Sequence, residues 1–235
     1  MSKRRESDRK RSRPVTKKKK SDMIKKNKIA SILIILLLLV SAIAGAYLVL
    51  TSNEEEEGRT IAIIDTSMGT IKVELYVDDV PDTCENFIKL ADDGFYDGLV
   101  FHRVANIDPS QPDTHVVQGG GFESDGTQKN SPYGTINLEI NEERSHVDGA
   151  IAMARTPDPN SATSQFYICD GAHHSLDDWV RQEQYGDRGY AVFGKVFEGM
   201  NVVRSIADVI TTTKYGMSNW PIDDVVIDSI TIERQ

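Results

Sequence analysis

Between Ile29 and Leu50 the chain runs for 22 residues without a charged side chain. A helix of that length reaches about 33 Å at 1.5 Å per residue, enough to cross a hydrocarbon core of about 30 Å. A surface helix of a soluble domain would show a polar face, and SILIILLLLV from Ser31 to Val40 has almost none, Ser31 being its single polar residue. One transmembrane helix over 29–50 is therefore expected. Ala42-Ile43-Ala44 and Ala44-Gly45-Ala46 resemble small-residue cleavage sites, so secretion after removal of a signal peptide stands as the alternative.

The flanks orient this segment. Of the first 28 residues, 14 are Lys or Arg and 3 are acidic, whereas Glu54 to Glu57 follow the apolar run. Basic residues are retained on the cytoplasmic side of a membrane helix. The expectation is a single-pass cell-membrane protein with its amino terminus in the cytoplasm and its carboxyl-terminal domain outside. Residues 1–28 lack the large apolar side chains needed for a core and read as a disordered cytoplasmic tail. The Lys17 to Lys20 run reads as attraction to anionic headgroups. Residues 51–59 form an acidic linker extended by its own repulsion. That leaves residues 60–235 as the folded domain.

Residues 51–235 carry 13 basic and 33 acidic side chains, a net charge of −20. A body so acidic repels polyphosphates, which argues against nucleic acid as a partner. The chain's 2 cysteines exclude a disulfide scaffold and a four-thiolate zinc site. Cys84 and Cys169 are expected as buried free thiols.

Thr60–Thr66 and Thr70–Val77 are rich in β-branched residues and flank Ser-Met-Gly, which predicts a hairpin. Alternation in the second run puts Ile71, Val73 and Leu75 on one dry face. After Val80-Pro81, Asp82 and Thr83 offer N-cap chemistry for a helix carrying Phe87, Ile88 and Ala91 and ending at Gly94. Short β-like runs follow at 99–104, 115–118, 150–154, 165–169, 191–196 and 225–233. A second helix is expected near Gly199, with Val202, Val203 and Ile206. Many short strands without alternating helices predict a sandwich or a closed barrel, and pattern alone leaves both open.

None of the five histidines, His102, His115, His146, His173 and His174, makes a metal spacing with a cysteine or another histidine. No Gly-x-Ser-x-Gly elbow is present, and Gly119-Gly120-Gly121 lacks the lysine of a phosphate loop. What remains are apolar runs punctuated by uncharged hydrogen-bonders and a few cations. They are VPDTCENF from Val80, FHRV from Phe101, QGGG from Gln118, GAIAMAR from Gly149, SATSQFYI from Ser161 and YAVFGKVFEGMNVV from Tyr190. In this order they resemble the cyclophilin family of peptidyl-prolyl cis-trans isomerases, over about residues 60–233.

The resemblance implies a mainly β fold, a closed eight-stranded antiparallel barrel capped by two α-helices. It also implies acceleration of Xaa-Pro isomerisation in proline-containing polypeptides by a monomer, with no cofactor and no metal. Carried over residue by residue, Arg103 is the catalytic arginine and Gln118 steadies it and the substrate carbonyl. Phe101, Val116, Met153, Phe166, Tyr167 and Leu176 correspond to pocket or near-pocket positions. Ala154 and Gln165 form the groove for residues preceding the proline. His102 reads as a structural histidine.

Departures accompany the matches. The segment ANIDPSQPDTH from Ala105 is longer than the family usually carries, and the position of a pocket phenylalanine falls on His115. Ser175 replaces a tryptophan, Tyr167 a phenylalanine and Tyr190 a histidine, which argues against tight cyclosporin binding. Asp178 to Gly189 reads as an inserted loop, with Trp179 at the surface or folded over the site. The same groove could serve a non-catalytic module that only binds proline-containing peptides as a chaperone, or the acidic barrel could serve adhesion.

Overall fold

The computed structural model describes residues 58–235. The expected tail, membrane helix and all but the end of the linker lie outside the described residues. No helix among the described residues is long and apolar enough to cross a membrane.

The predicted first hairpin forms as β1 (Thr60–Thr66) and β2 (Gly69–Leu75). Its register pairs Thr66 with Gly69 and Thr60 with Leu75, and Ile71, Val73 and Leu75 are all buried. Helix α1 (Pro81–Asp92) starts on the proline, whose fixed φ and missing N–H suit a first helical turn. The expected cap by Asp82 or Thr83 is replaced by a distant one. The Glu139 carboxylate accepts from the Thr83 amide at 2.6 Å, the Thr83 hydroxyl at 2.7 Å and the Asp82 amide at 3.3 Å. An anion at the amino-terminal end of the helix also complements its dipole.

Six further strands complete the main sheet or flank it: β3 (Arg103–Ala105), β4 (His115–Gly119), β5 (Ala150–Met153), β6 (Phe166–Asp170), β7 (Val192–Glu198) and β10 (Ile227–Arg234). The sheet is antiparallel, in the order β10-β1-β2-β7-β5-β6-β4-β3. It curls into a half-barrel, and the expected continuous closure is not made. Edge strands β3 and β10 share no ladder. Instead the backbone just ahead of β3 meets the backbone ahead of and at the start of β10. Phe101 donates to Val225 at 2.9 Å, Ile227 to Leu99 at 2.7 Å and Gly98 to Ile227 at 2.9 Å.

Three α-helices, not two, accompany the sheet among the described residues. The expected inserted loop folds in part as α2 (Asp178–Tyr185), after a 3₁₀ turn at His174–Leu176, and α3 (Met200–Ala207) is the second helix foreseen from sequence. Gly199 precedes α3 at φ +92°, where a Cβ would stand 2.4 Å from the Thr70 carbonyl oxygen, so only glycine fits. A separate hairpin, β8 (Thr211–Lys214) with β9 (Met217–Pro221), was not predicted. Its turn holds Tyr215 and Gly216 at positive φ, and the Tyr-Gly pair was the available signal.

Alternation along the central strands sorts residues onto two faces. Val117, Ile151, Met153, Phe166 and Ile168 face the main core with Phe87 and Leu90 of α1. Phe87 anchors it, with ring centroids 5.3 Å from Tyr96, 5.6 Å from Phe166 and 5.1 Å from Phe193. Val116, Ala150, Ala152, Tyr167, Cys169 and Val192 form a smaller apolar layer on the other face. Cys84 and Cys169 are buried free thiols, as expected.

Candidate active site

One row of cross-strand neighbours spans the outer face. Arg103 pairs with Gln118, Gln118 with Tyr167, Tyr167 with Ala152, and Ala152 with Val192. Side chains opposite one another on one face of a sheet are in reach, so register alone sets a cation beside an amide beside an aromatic ring. Arg103 Nη1 donates to Gln118 Oε1 at 3.1 Å, and Gln118 Nε2 donates to Gln165 Oε1 at 3.0 Å. The chain of donors runs away from the arginine and consumes one of its five N–H bonds. No carboxylate pairs with Arg103 among the described residues, and burial pulls its pKa below the usual arginine value.

Above the row lies a cleft of 540 Å³ lined by Arg103, Ile107, Val116, Gln118, Ala154, Arg155, Tyr167, Ser175, Leu176, Arg181, Tyr185 and Tyr190. Of the residues foreseen from sequence, Arg103, Val116, Gln118, Ala154, Tyr167, Leu176 and Tyr190 meet here. Gln165 lines an adjoining polar recess that shares Gln118 and Ala154 with the cleft. Phe101, Met153 and Phe166 are not on its wall. All three are fully buried in the main core: Met153 and Phe166 because each is one residue from Ala152 or Tyr167 on its strand and faces the opposite way, and Phe101, just ahead of β3, with its ring edge-on to Phe166. His115 has the same parity as Val117 and sits at the rim opposite Asp170, with 3.8 Å between the imidazole and the carboxylate. His115 is therefore not among the cleft's lining residues, whereas Ile107, in the long segment after β3, lines it and packs on the outer apolar layer.

The QGGG run has a steric reason. A Cβ on Gly119 would lie 2.8 Å from Phe101, and one on Gly121 would lie 2.5 Å from Gln165. A side chain on Gly121 would push the Gln165 amide away from Gln118, and one on Gly119 would displace the Phe101 ring.

Beneath the cleft is a network that the sequence did not reveal. His146 Nδ1 lies 2.7 Å from Asp177 Oδ1, and His146 Nε2 lies 2.9 Å from the Tyr167 hydroxyl. Ser145 donates to the other carboxylate oxygen at 2.6 Å. Burial pushes the Asp177 carboxyl up, but hydrogen bonds from His146, Ser145 and His174 outweigh it and hold the pKa at about 2. Burial lowers the pKa of His146 despite the carboxylate, which favours the neutral ring. Periodicity carries no sign of this network, since its members lie on three separate segments.

His102 is buried among Phe122 and Trp220, with ring centroids 4.6 and 6.0 Å away. Burial lowers its pKa to about 4. A neutral imidazole packed in this way has the structural character expected of it.

The family described as cyclophilin type peptidyl-prolyl cis-trans isomerase/CLD matches residues 61–232. A peptidyl-prolyl cis-trans isomerase of Acinetobacter baylyi is 39% identical over 175 residues, 74% of this chain and 86% of that one. Peptidyl-prolyl cis-trans isomerase B of Escherichia coli K12 is 34% identical over 176 residues, covering 72% and 97%. Among solved structures, a Cryptosporidium parvum cyclophilin type isomerase superposes with a TM-score of 0.61 at 26% identity, covering 75% of this chain and 99% of that one. A second structure of that protein, in the presence of the dipeptide Ala-Pro, gives a TM-score of 0.60 at 27% identity, covering 74% and 99%.

Proposed function

Since the chain belongs to the cyclophilin-type peptidyl-prolyl cis-trans isomerases, we propose that it accelerates Xaa-Pro rotation in secreted or cell-surface polypeptides while residues 29–50 hold it to the membrane. Rotation about the prolyl amide faces a barrier of about 18 to 20 kcal/mol, because nitrogen shares its lone pair with the carbonyl. A catalyst needs no covalent step. It must bind the twisted amide better than the planar one.

Two properties of the cleft do this. Its apolar floor of Val116, Ala152, Tyr167 and Leu176 disfavours the charge-separated resonance form that keeps the amide flat. Arg103 then offers unpaired N–H bonds to the nitrogen lone pair, which can accept a hydrogen bond only once the amide has twisted. Gln118 holds the guanidinium in place and is the proposed partner of the substrate carbonyl. Ala154 and Gln165 accept the residues before the proline. A rate gain of about 10⁵ needs about 7 kcal/mol of such differential binding.

The observation that carries this reading is the half-buried Arg103, free of any carboxylate among the described residues, on the wall of an apolar cleft. Exchange spectroscopy on a proline tetrapeptide with the full-length protein tests it. Arg103→Ala should abolish most of the acceleration. Equal rates for both proteins, with peptide still bound, would assign the groove to a binding module. The membrane assignment is tested by mass spectrometry of the membrane fraction, where an intact 26.2 kDa chain is expected. A mature form starting near Gly45 or Tyr47 would overturn it.

A further inference from the structure

We propose that the inserted segment 178–189 makes the cleft select client segments that carry a carboxylate beside the proline, a specificity that rests on the isomerase reading above. The walls of the cleft include three guanidinium groups, those of Arg103, Arg155 and Arg181, and no carboxylate. Two acids stand close behind them, and one of these, Asp177, is engaged by Ser145 and His146 beneath Tyr167. The other, Asp187, pairs with Arg181 and lies 3.8 Å from Arg155, so a single negative charge serves two cations. The neighbouring Asp178 is already matched by Arg188 at 2.8 Å. The cleft is therefore a positive hollow in a body whose residues 51–235 carry a net charge of −20.

The three cations act differently. Arg155 is buried, with 2% of its side chain exposed, and its hydrogens go to backbone carbonyls. Nε reaches Gly189 at 3.0 Å, Nη1 reaches Thr156 at 2.9 Å, and Nη2 bonds Arg188. It clamps the insertion against the sheet and contributes field, not contact. Arg103 is committed to the prolyl amide. Arg181, on α2, donates Nε to Arg188 at 2.9 Å and Nη2 to Asp187. Its Nη1 has no protein partner among the described residues, and its head lies at the same cleft as Arg103 and the exposed Tyr185.

The guanidiniums of Arg155 and Arg181 also lie 4.6 and 5.5 Å from the Tyr190 ring centroid, which fixes them relative to the cleft floor. A low-dielectric hollow lined by one sign of charge focuses that field at its mouth, while the acidic exterior is screened by salt beyond about 8 Å. A glutamate or aspartate flanking the proline would meet Arg181. A lysine would be repelled, and such like-charge contacts supply much of the discrimination between partners.

The test uses the full-length protein and two peptide sets, with Glu, Gln or Lys placed immediately before or immediately after the proline. The measurement is kcat/KM by exchange spectroscopy. On at least one flank the Glu peptide should exceed the Lys peptide by about tenfold at low salt, and the ratio should shrink in high salt. Arg181→Gln should bring the ratio towards one and Arg181→Lys should keep it. Arg234→Gln, the same charge loss on β10 where Arg234 faces Asp92, should leave it unchanged. Equal turnover of Glu and Lys peptides on both flanks overturns the proposal, as does an unchanged ratio in Arg181→Gln. If that variant fails to fold, the salt dependence of the wild-type ratio decides. Failure to turn over the neutral Gln peptides would instead sink the isomerase reading on which it rests.

Discussion

Tyr167 donates its hydroxyl hydrogen to His146 Nε2 across 2.9 Å, and the direction of that bond is fixed by a third residue. The Asp177 carboxylate can only accept, so His146 Nδ1 carries the proton at 2.7 Å and Nε2 is left as the acceptor. The tyrosine ring can therefore form cleft floor while its polar end is satisfied below. Asp177 immediately precedes α2, so the same bonds tie the floor to the inserted helix. Tyr167→Phe should cost about 1–3 kcal/mol by stranding the imidazole acceptor. Urea unfolding of Tyr167→Phe, His146→Leu and the double variant should show strong coupling, and additive losses would contradict the network.

Removing Arg103 should separate catalysis from stability. Arg103→Ala is expected to lower kcat/KM by about 10²–10³-fold, the usual cost of deleting one preorganised donor. Arg103→Lys should recover little, because an ammonium lacks the planar fork that spans Gln118 and the substrate. The urea midpoint should hold or rise, since a partly buried cation with no carboxylate partner is lost.

His102 makes the fold acid-sensitive. Its pKa is lowered from 6.5 to about 4 by burial, so the unfolded chain takes up the proton first. The associated stability is complete above pH 6.5 and is lost as pH falls towards 4, about 3 kcal/mol in all. His102→Phe keeps an aromatic ring against Phe122 and Trp220 and should flatten this part of the pH profile. An unchanged acid slope in urea titrations at pH 7 and pH 4.5 would assign the sensitivity elsewhere.

The cysteines should be silent in the folded state. Cys84 is fully buried and donates its thiol hydrogen to Phe193 at 3.4 Å, and burial pushes its pKa to about 12. Burial raises that of Cys169 further. Reaction with an aromatic disulfide reagent should therefore require unfolding. Rapid labelling of either residue without denaturant would show that the core opens locally.

Glu139 caps α1 from another part of the chain, so Glu139→Ala should destabilise by about 1–2 kcal/mol without touching the cleft. Hydrogen exchange should accelerate at Asp82 and Thr83 before the rest of α1. Equal protection in both proteins would show that water replaces the carboxylate at no cost.

Sequence alone determined whatever depends on neighbours within a turn or a strand. Alternation gave the dry face of Ile71, Val73 and Leu75, Pro81 gave the start of α1, and the six ordered motifs led to Arg103 and Gln118. The resemblance carried both Phe166 and Tyr167 to the pocket, although adjacent residues on one strand face opposite ways. Which of the two faces the cleft was set by the curl of the sheet and the seat of α1 on its inner side, contacts made between residues far apart in the chain. The same holds for Ile107 rather than His115 lining the cleft, for Glu139 capping a helix more than fifty residues away, and for Arg181 reaching the cleft from an insertion that reads as loop. Local propensity acts over a few residues, whereas register, closure and the meeting of charges from separate segments are fixed only when the whole chain packs.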